Sequence, residues 1–400
     1  MAINFQKIYE QIQEIGAGAQ ERKKTLEQRR EHARFLLNLH ADNLTALRYK
    51  VETIKEIDPG IRCALPLTEC LDFHASPPSL PERANLIAAD GSQILPDRHS
   101  PVQYGLINVG AIVMRLNSGE VPALHTDSQI LFDDKLYAPS GGPLTESMLA
   151  LQRDTAERTK LLELSAAIGT EGAPLVTFTD GPIELWGAKD GEDASLFVEN
   201  LNNYLVILSR LQAAGIITAG YIDKPAADPL IRLLELTEAT DEDIHNLREY
   251  HPLRGVTDRW LFGDKETSLL GPGERSAVFG FQSKSEKDYR GVLALHFFYL
   301  NISADEKNPQ IARVDIPRWV VDEPGKLGLL HAVLIQQCRI MGAKPYPYLL
   351  HRAHETAVVS LDDKRQVDQI LELELRRSGG ELGEISGKQS AKERQGRTSY

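Results

Sequence analysis

The chain has 400 residues and a formal net charge of -12, with 42% hydrophobic and 26% charged residues. That balance excludes a disordered or fibrous polymer, and the length suits one large domain with appendages or two ordinary ones. Apolar stretches such as 292–300 fall short of the roughly 18 residues a membrane span needs, and the acidic balance excludes coating of nucleic acid by bulk attraction while leaving room for a local basic groove or a metal-filled acidic site.

The N-terminal stretch carries Glu and Gln where a signal peptide needs an apolar core, so a cytoplasmic location is expected. Residues 5–57 read as helix, with Leu26, Ala33, Leu36, Leu37 and Leu39 set among charge clusters and Gly16 and Gly18 as the interruption. This N-terminal helical arm (1–75 with its linker) either packs on its own domain or forms a dimer or partner contact. The segment 75–81, rich in proline, reads as a linker.

Strand periodicity follows. Residues 85–89 lead into Asp90-Gly91-Ser92, 104–116 and 121–132 form two further strands about an Asn117-Ser118-Gly119 turn, and the three make a meander. Residues 144–168 are helical, 175–179 a short strand ending in Asp180-Gly181-Pro182, 194–214 a helix, and 216–222 a strand ending in Asp223-Lys224-Pro225. This order implies an α/β fold with a mixed sheet covered by helices. The polar stretch 235–289 reads as an insertion or mobile region outside the core. Strands at 292–302 and 311–316, a helix at 326–341 and a disordered tail at 376–400 complete the chain.

Three cysteines, none in a CxxC pair, exclude a disulfide framework and a structural zinc. There is no GxxxxGK[ST] phosphate loop and no GxSxG elbow, so neither an ATP site nor a serine nucleophile is indicated.

Three aspartates, Asp90, Asp180 and Asp223, each follow an apolar strand. Any one of them reads as an ordinary turn residue; three in one domain suggest carboxylates converging at adjacent strand ends, which cannot all stay ionised without a cation. Mg²⁺ or Mn²⁺, hard ions that take oxygen ligands and bind phosphate, answer that need, and the chemistry implied is phosphoryl transfer to water. Near the C-terminus, Lys344-Pro345-Tyr346-Pro347-Tyr348 and Arg352-Ala353-His354 combine tyrosines able to stack on bases with phosphate donors. His351 and His354, three apart, share a helical face, a weak metal signal set against that of surface histidines.

These residues resemble a known family, the NurA-domain nucleases, which partner the HerA hexameric translocase. The resemblance rests on Ala89-Asp90-Gly91-Ser92, Thr179-Asp180-Gly181, Tyr221-Ile222-Asp223-Lys224, Phe298-Tyr299-Leu300, Arg313-Val314-Asp315-Ile316-Pro317 and the segment from Tyr346-Pro347 to Ala353-His354-Glu355, in that order. It implies an RNase H-like fold over 80–375, a Mn²⁺-dependent site (or Mg²⁺), exonuclease and endonuclease action on single- and double-stranded DNA ends in repair, and a homodimer working with a HerA-type ATPase. It carries Asp90 and Asp180 over as metal ligands, with a glutamate of the helix before the Asp180 strand completing the shell. Glu157 and Glu163 both fit, and Glu163 is favoured as nearer the strand in sequence. His354 becomes a ligand or a contact to water or phosphate, Tyr346 a catalytic and substrate-placing residue, and Tyr348, Arg352 and Lys344 further substrate contacts. Other readings are a non-catalytic DNA- or partner-binding subunit and a metal phosphohydrolase for small phosphate esters.

Overall fold

In the computed structural model, residues 3–169, 172–187, 189, 191, 193–244 and 246–379 are described. Three helices open the chain, α1 (Phe5–Ala17), α2 (Ala19–His40) and α3 (Leu44–Ile57). The strands β1 (Cys63–Pro66), β2 (His74–Ala75), β3 (Asn85–Ile94), β4 (Gly105–Arg115) and β5 (Ala123–Leu131) follow. Then come α4 (Glu146–Ile168), β6 (Leu175–Asp180), α5 (Ala194–Ala213), β7 (Ile217–Ile222), α6 (Pro229–Glu238), α7 (Asp241–Ile244) and α8 (Asp258–Gly263). The strands β8 (Arg275–Ser276), β9 (Phe279–Gln282), β10 (Leu295–Asn301) and β11 (Ile311–Pro317) precede α9 (Arg318–Val321), α10 (Pro324–Ile340), α11 (Tyr348–Ala357) and α12 (Leu361–Arg377).

Local chemistry accounts for several boundaries. The Thr145 hydroxyl accepts from the Met148 N–H to start α4, and Gly169, at φ 72°, ends it. Prolines open α6 and α10, where the missing N–H costs nothing. Ser360 and Asp363 form a capping box on α12. Among the described residues no helix is long and apolar enough to cross a membrane.

The chain divides into two compact units, one of residues 1–79 with 221–345 and the other of 80–220 with 346–400. In the first, β1, β9, β10 and β11 are neighbours in that order, with β8 on β10 and β2 on β8. Its core joins Leu36, Leu37, Val51 and Ile54 of α2 and α3 to Leu233, Leu234, Phe262, Phe279 and Phe297. So α2 and α3 pack on their own unit. By contrast α1 buries nothing, and Phe5, Ile8, Ile12 and Ile15 stay exposed.

The expectation that 235–289 lies outside the core is corrected. Leu236, Leu253, Leu261, Phe262, Phe279 and Phe281 from it are buried, and the polar residues between them are satisfied internally. Asp258, fully buried, accepts from the backbone N–H groups of Leu230 and Ile231, 2.8 Å each, and from the Tyr299 hydroxyl at 2.6 Å. Polar composition misleads where buried polar groups are paired.

In the second unit β5, β4 and β3 form the antiparallel meander, and β6 adds parallel to β3 on its other side, next to β7. Alternation along β3 and β4 sorts the helices. Position 91 meets side chains of α4, while Gly110, paired with Asp90, meets the backbone of α11, so the two helices cover opposite faces. This mixed α/β sheet between helices is the RNase H-like architecture expected. The end of α12 takes Arg376 and Arg377 into helix rather than tail; the remainder of the expected tail, 380–400, lies outside the described residues.

Candidate active site

Asp90 sits within β3, four residues before its end, and Asp90-Gly91-Ser92 continues the strand instead of turning. Its cross-strand partner is Gly110. A Cβ added there would lie 2.6 Å from the carbonyl oxygen of Ala353 and in collision with the backbone of 356–357, so the glycine is what admits α11 to this face. Asn108 donates to the carbonyl of Ala357 at 2.7 Å, and Ser92 donates to the same oxygen, which pins the end of the helix. Held in this way, α11 brings the His354 ring to Asp90, with Nδ1 at 2.6 Å from Oδ2. The other carboxylate oxygen accepts the N–H of Gly91 at 2.9 Å.

On the opposite face Gly91 performs the same service for α4. A Cβ at 91 would stand 2.7 Å from Oε1 of Glu157 and 2.6 Å from Cγ of Arg153. What approaches this backbone is therefore the chain's own carboxylate and guanidinium. Glu157 is 5% exposed. Burial, followed by the negative charges of Asp154 and Asp90, pushes its pKa well above the usual carboxylate range, against the pull of Arg153 and Arg158. Arg158 is fixed beneath it, donating from Nη1 to Thr218 Oγ1 at 3.0 Å and to the Ala219 carbonyl at 3.2 Å, and from Nε to the Tyr204 hydroxyl at 3.2 Å.

Asp180 ends β6. The parallel register pairs Ala89 with Thr179, so Asp180 stands level with Asp90 on the adjacent strand, about 4.8 Å away by backbone spacing. It is exposed, and its Oδ1 accepts the N–H of Gly181 at 3.1 Å, a turn that the positive φ of that glycine allows.

Of the two candidate glutamates Glu157 is the one that reaches this group, and Glu163, the one favoured in the sequence, lies away from it. Six positions along a helix carry Glu163 about 120° around and about 9 Å along from Glu157. There it pairs with Lys160 at 3.3 Å and lines a cavity of about 350 Å³ with Asp127, Gln129 and Asn200. Nearness in sequence was the misleading criterion. The helix leads into the start of β6, whereas Asp180 is at its end, about 17 Å on, which matches about eleven residues back along α4 from Ile168, at Glu157. Arg153 and Asp154 were missed altogether; their signal was the glycine at 91, which leaves space for a long side chain from a covering helix.

The C-terminal residues divide. Tyr346 is half-buried just before α11, and Tyr348 begins that helix. Arg352 is tied to Glu355, which also faces His351 at 3.4 Å. His351 and His354 thus serve different carboxylates and do not form a shared metal pair. Lys344 and Asp223 belong to the first unit, Lys344 exposed and Asp223 3.9 Å from Lys224.

Among the described residues no three His, Cys, Asp or Glu side chains are placed to hold a metal ion as they stand. The donor set is nonetheless of the kind a hard divalent ion takes, carboxylate oxygens from Asp90, Glu157 and Asp180 with one imidazole. Glu157, buried and opposed by two further carboxylates, is the group a cation would most relieve.

The model of the NurA domain family matches residues 84–359. Among solved structures the chain is similar to the NurA nuclease from Sulfolobus solfataricus, at 14% identity over 93% of this chain and 98% of that one, with a TM-score of 0.48. It is similar to a second NurA structure at 9% identity, covering 75% and 91%, with a TM-score of 0.40. The catalytic domain of human Endonuclease V aligns at 12% identity, covering 83% and 98%, with a TM-score of 0.32. No curated protein matches the chain in sequence.

Proposed function

The chain belongs to the NurA-domain family of nucleases, and from that premise we propose that it is a metal-dependent deoxyribonuclease, hydrolysing phosphodiester bonds at single- and double-stranded DNA ends as an exonuclease and cutting single strands as an endonuclease. The observation that carries this reading is the meeting of Asp90, level with Asp180, with His354 on one face of β3, and of the adjoining Gly91 with Glu157 on the other.

Asp90, Glu157, Asp180 and His354 would hold Mn²⁺ or Mg²⁺, which when bound supplies positive charge to the phosphate and activates water. The remaining work falls to the side chains. With Asp90 as the acceptor, Nδ1 of His354 donates to it, and in the neutral ring this leaves a lone pair on Nε2. That one lone pair either joins the ion's ligands or, with the ion held by the three carboxylates, takes a proton from water or returns one to the leaving oxygen. Tyr346 and Tyr348 offer faces for stacking bases, and Lys344 and Arg352 offer charge to phosphates, Arg352 after leaving Glu355.

The chain works in the cytoplasm in DNA-end repair as a homodimer that receives strands from a HerA-type hexameric ATPase. The exposed apolar residues of α1 support a docking role for the N-terminal helices. Deletion of 1–17, which spares the core residues of α2 and α3, would remove that role if it left both association with the ATPase and self-association intact.

The test is digestion of end-labelled single- and double-stranded DNA with Mn²⁺, Mg²⁺ or EDTA, beside Asp90→Ala. Cleavage that needs metal and vanishes in the variant supports the reading. No cleavage with any metal, even with the ATPase added, overturns it.

A further inference from the structure

Arg153 stands against Gly91 together with Glu157, one helical turn earlier. Its guanidinium is divided between two carboxylates. Nη2 and Nε donate to Oδ1 of Asp154 at 2.8 and 3.2 Å, and Nε also lies 3.5 Å from Oε1 of Glu157. The two acceptors differ in depth, the Asp154 side chain being 39% exposed and that of Glu157 only 7%. The charge of Asp90 also reaches the guanidinium. One cation thus stands beside the buried Glu157 and within reach of the charge of Asp90, with its shorter contacts on the outer carboxylate.

Resting on the metal reading of Asp90, Glu157 and Asp180, we propose that Arg153 is a resident counter-cation, which balances these carboxylates in the metal-free protein and gives up Glu157, while keeping Asp154, when a divalent ion enters. The arrangement supplies both states. The longer contact is the one released, the shorter ones retain the side chain, and the side chain is 30% exposed, so movement outward meets solvent. Arg153 is a positioning residue. It competes with the ion for Glu157 and so sets the concentration at which the site fills. It also prevents the acidic cluster from splaying α4 away from β3 when no ion is present.

The test is calorimetric titration of the full chain, stripped with EDTA and free of DNA, with Mn²⁺ alone, alongside thermal melts in EDTA and in saturating Mn²⁺. Arg153→Gln is expected to bind Mn²⁺ about tenfold tighter, since a like charge has been removed from beside the ion. Arg153→Lys, which keeps the charge, should stay within about threefold of the wild type, and Lys160→Gln, a charge lost from the same helix beside Glu163, within about twofold. In EDTA, Arg153→Gln should melt below the wild type, and Mn²⁺ should close that gap. A gap that persists unchanged in Mn²⁺, with unaltered affinity, marks an ordinary salt bridge and overturns the proposal. Mn²⁺ uptake that Asp90→Asn abolishes but Arg153→Gln does not tighten overturns it too, leaving the metal reading in place. Absence of Mn²⁺ uptake by the wild type removes the metal reading and this proposal together.

Discussion

Nδ1 of His354 lies 2.6 Å from Oδ2 of Asp90 although 264 positions of sequence separate them. The contact exists because Gly110, opposite Asp90, lets α11 rest on the strand backbone. Two substitutions follow from it. Asp90→Asn removes a carboxylate that orients the imidazole and would face the proposed ion, and should cost on the order of 100-fold or more in cleavage of end-labelled DNA. His354→Ala should cost between about 100-fold and 10,000-fold, the range for a lost general acid or base. Circular dichroism of both should match the wild type; full activity in either would remove the pair from the chemistry.

Glu157 and Glu163 separate cleanly. Glu157→Gln should lose on the order of 100-fold in rate, while Glu163→Gln, on an exposed pair with Lys160, should stay within about threefold, as expected where a surface ion pair contributes little. The reverse ranking in the same digestion assay would restore Glu163 to the site.

Gly110→Ala tests how the site is assembled. The added methyl meets main-chain atoms of α11, which cannot step aside as a flexible side chain would. A loss of about 1–3 kcal/mol in urea unfolding is expected from overpacking, with activity falling at the same time as His354 is pushed off Asp90. Wild-type stability in this variant would show that α11 does not lie on the strand as described.

Much of this arrangement was legible in the sequence, and the exceptions have physical causes. The meander, the alternation that follows it, and the placing of Asp90 and Asp180 on adjacent strands could be read because strand periodicity and glycine placement are local signals. Glu163 was preferred over Glu157 because the rise per residue of a helix and of a strand differ by more than twofold, so order along the chain does not give level in the fold. The 235–289 region read as surface because Asp258 and its neighbours are polar, and pairing among them inside the protein leaves no trace in composition.

A pH effect on stability is expected from His331. Its ring is buried and hydrogen-bonded to the Gly273 carbonyl at 2.7 Å, and burial pushes its pKa down to about 4. The unfolded chain takes up a proton near pH 6.5, the folded chain only near 4, so between these values the unfolded state holds more protons. The stability present above pH 6.5 is therefore lost as pH falls toward 4, by up to about 3 kcal/mol at 1.36 kcal/mol per unit. Urea midpoints at pH 7.5 and 4.5 should diverge more in the wild type than in His331→Gln. Equal divergence would exclude His331 as a source.

The unit that carries the site is interrupted, leaving off at residue 220 and resuming at 346. During synthesis the ribosome adds about 5–20 residues each second, so after β7 has emerged roughly ten seconds pass before α11 exists to cover β3 and β4. For that interval the face that bears Asp90 waits without its lid, and a polypeptide cut short anywhere in the intervening stretch lacks His354. The pairing of Asp90 with His354 thus waits on synthesis of the whole intervening stretch.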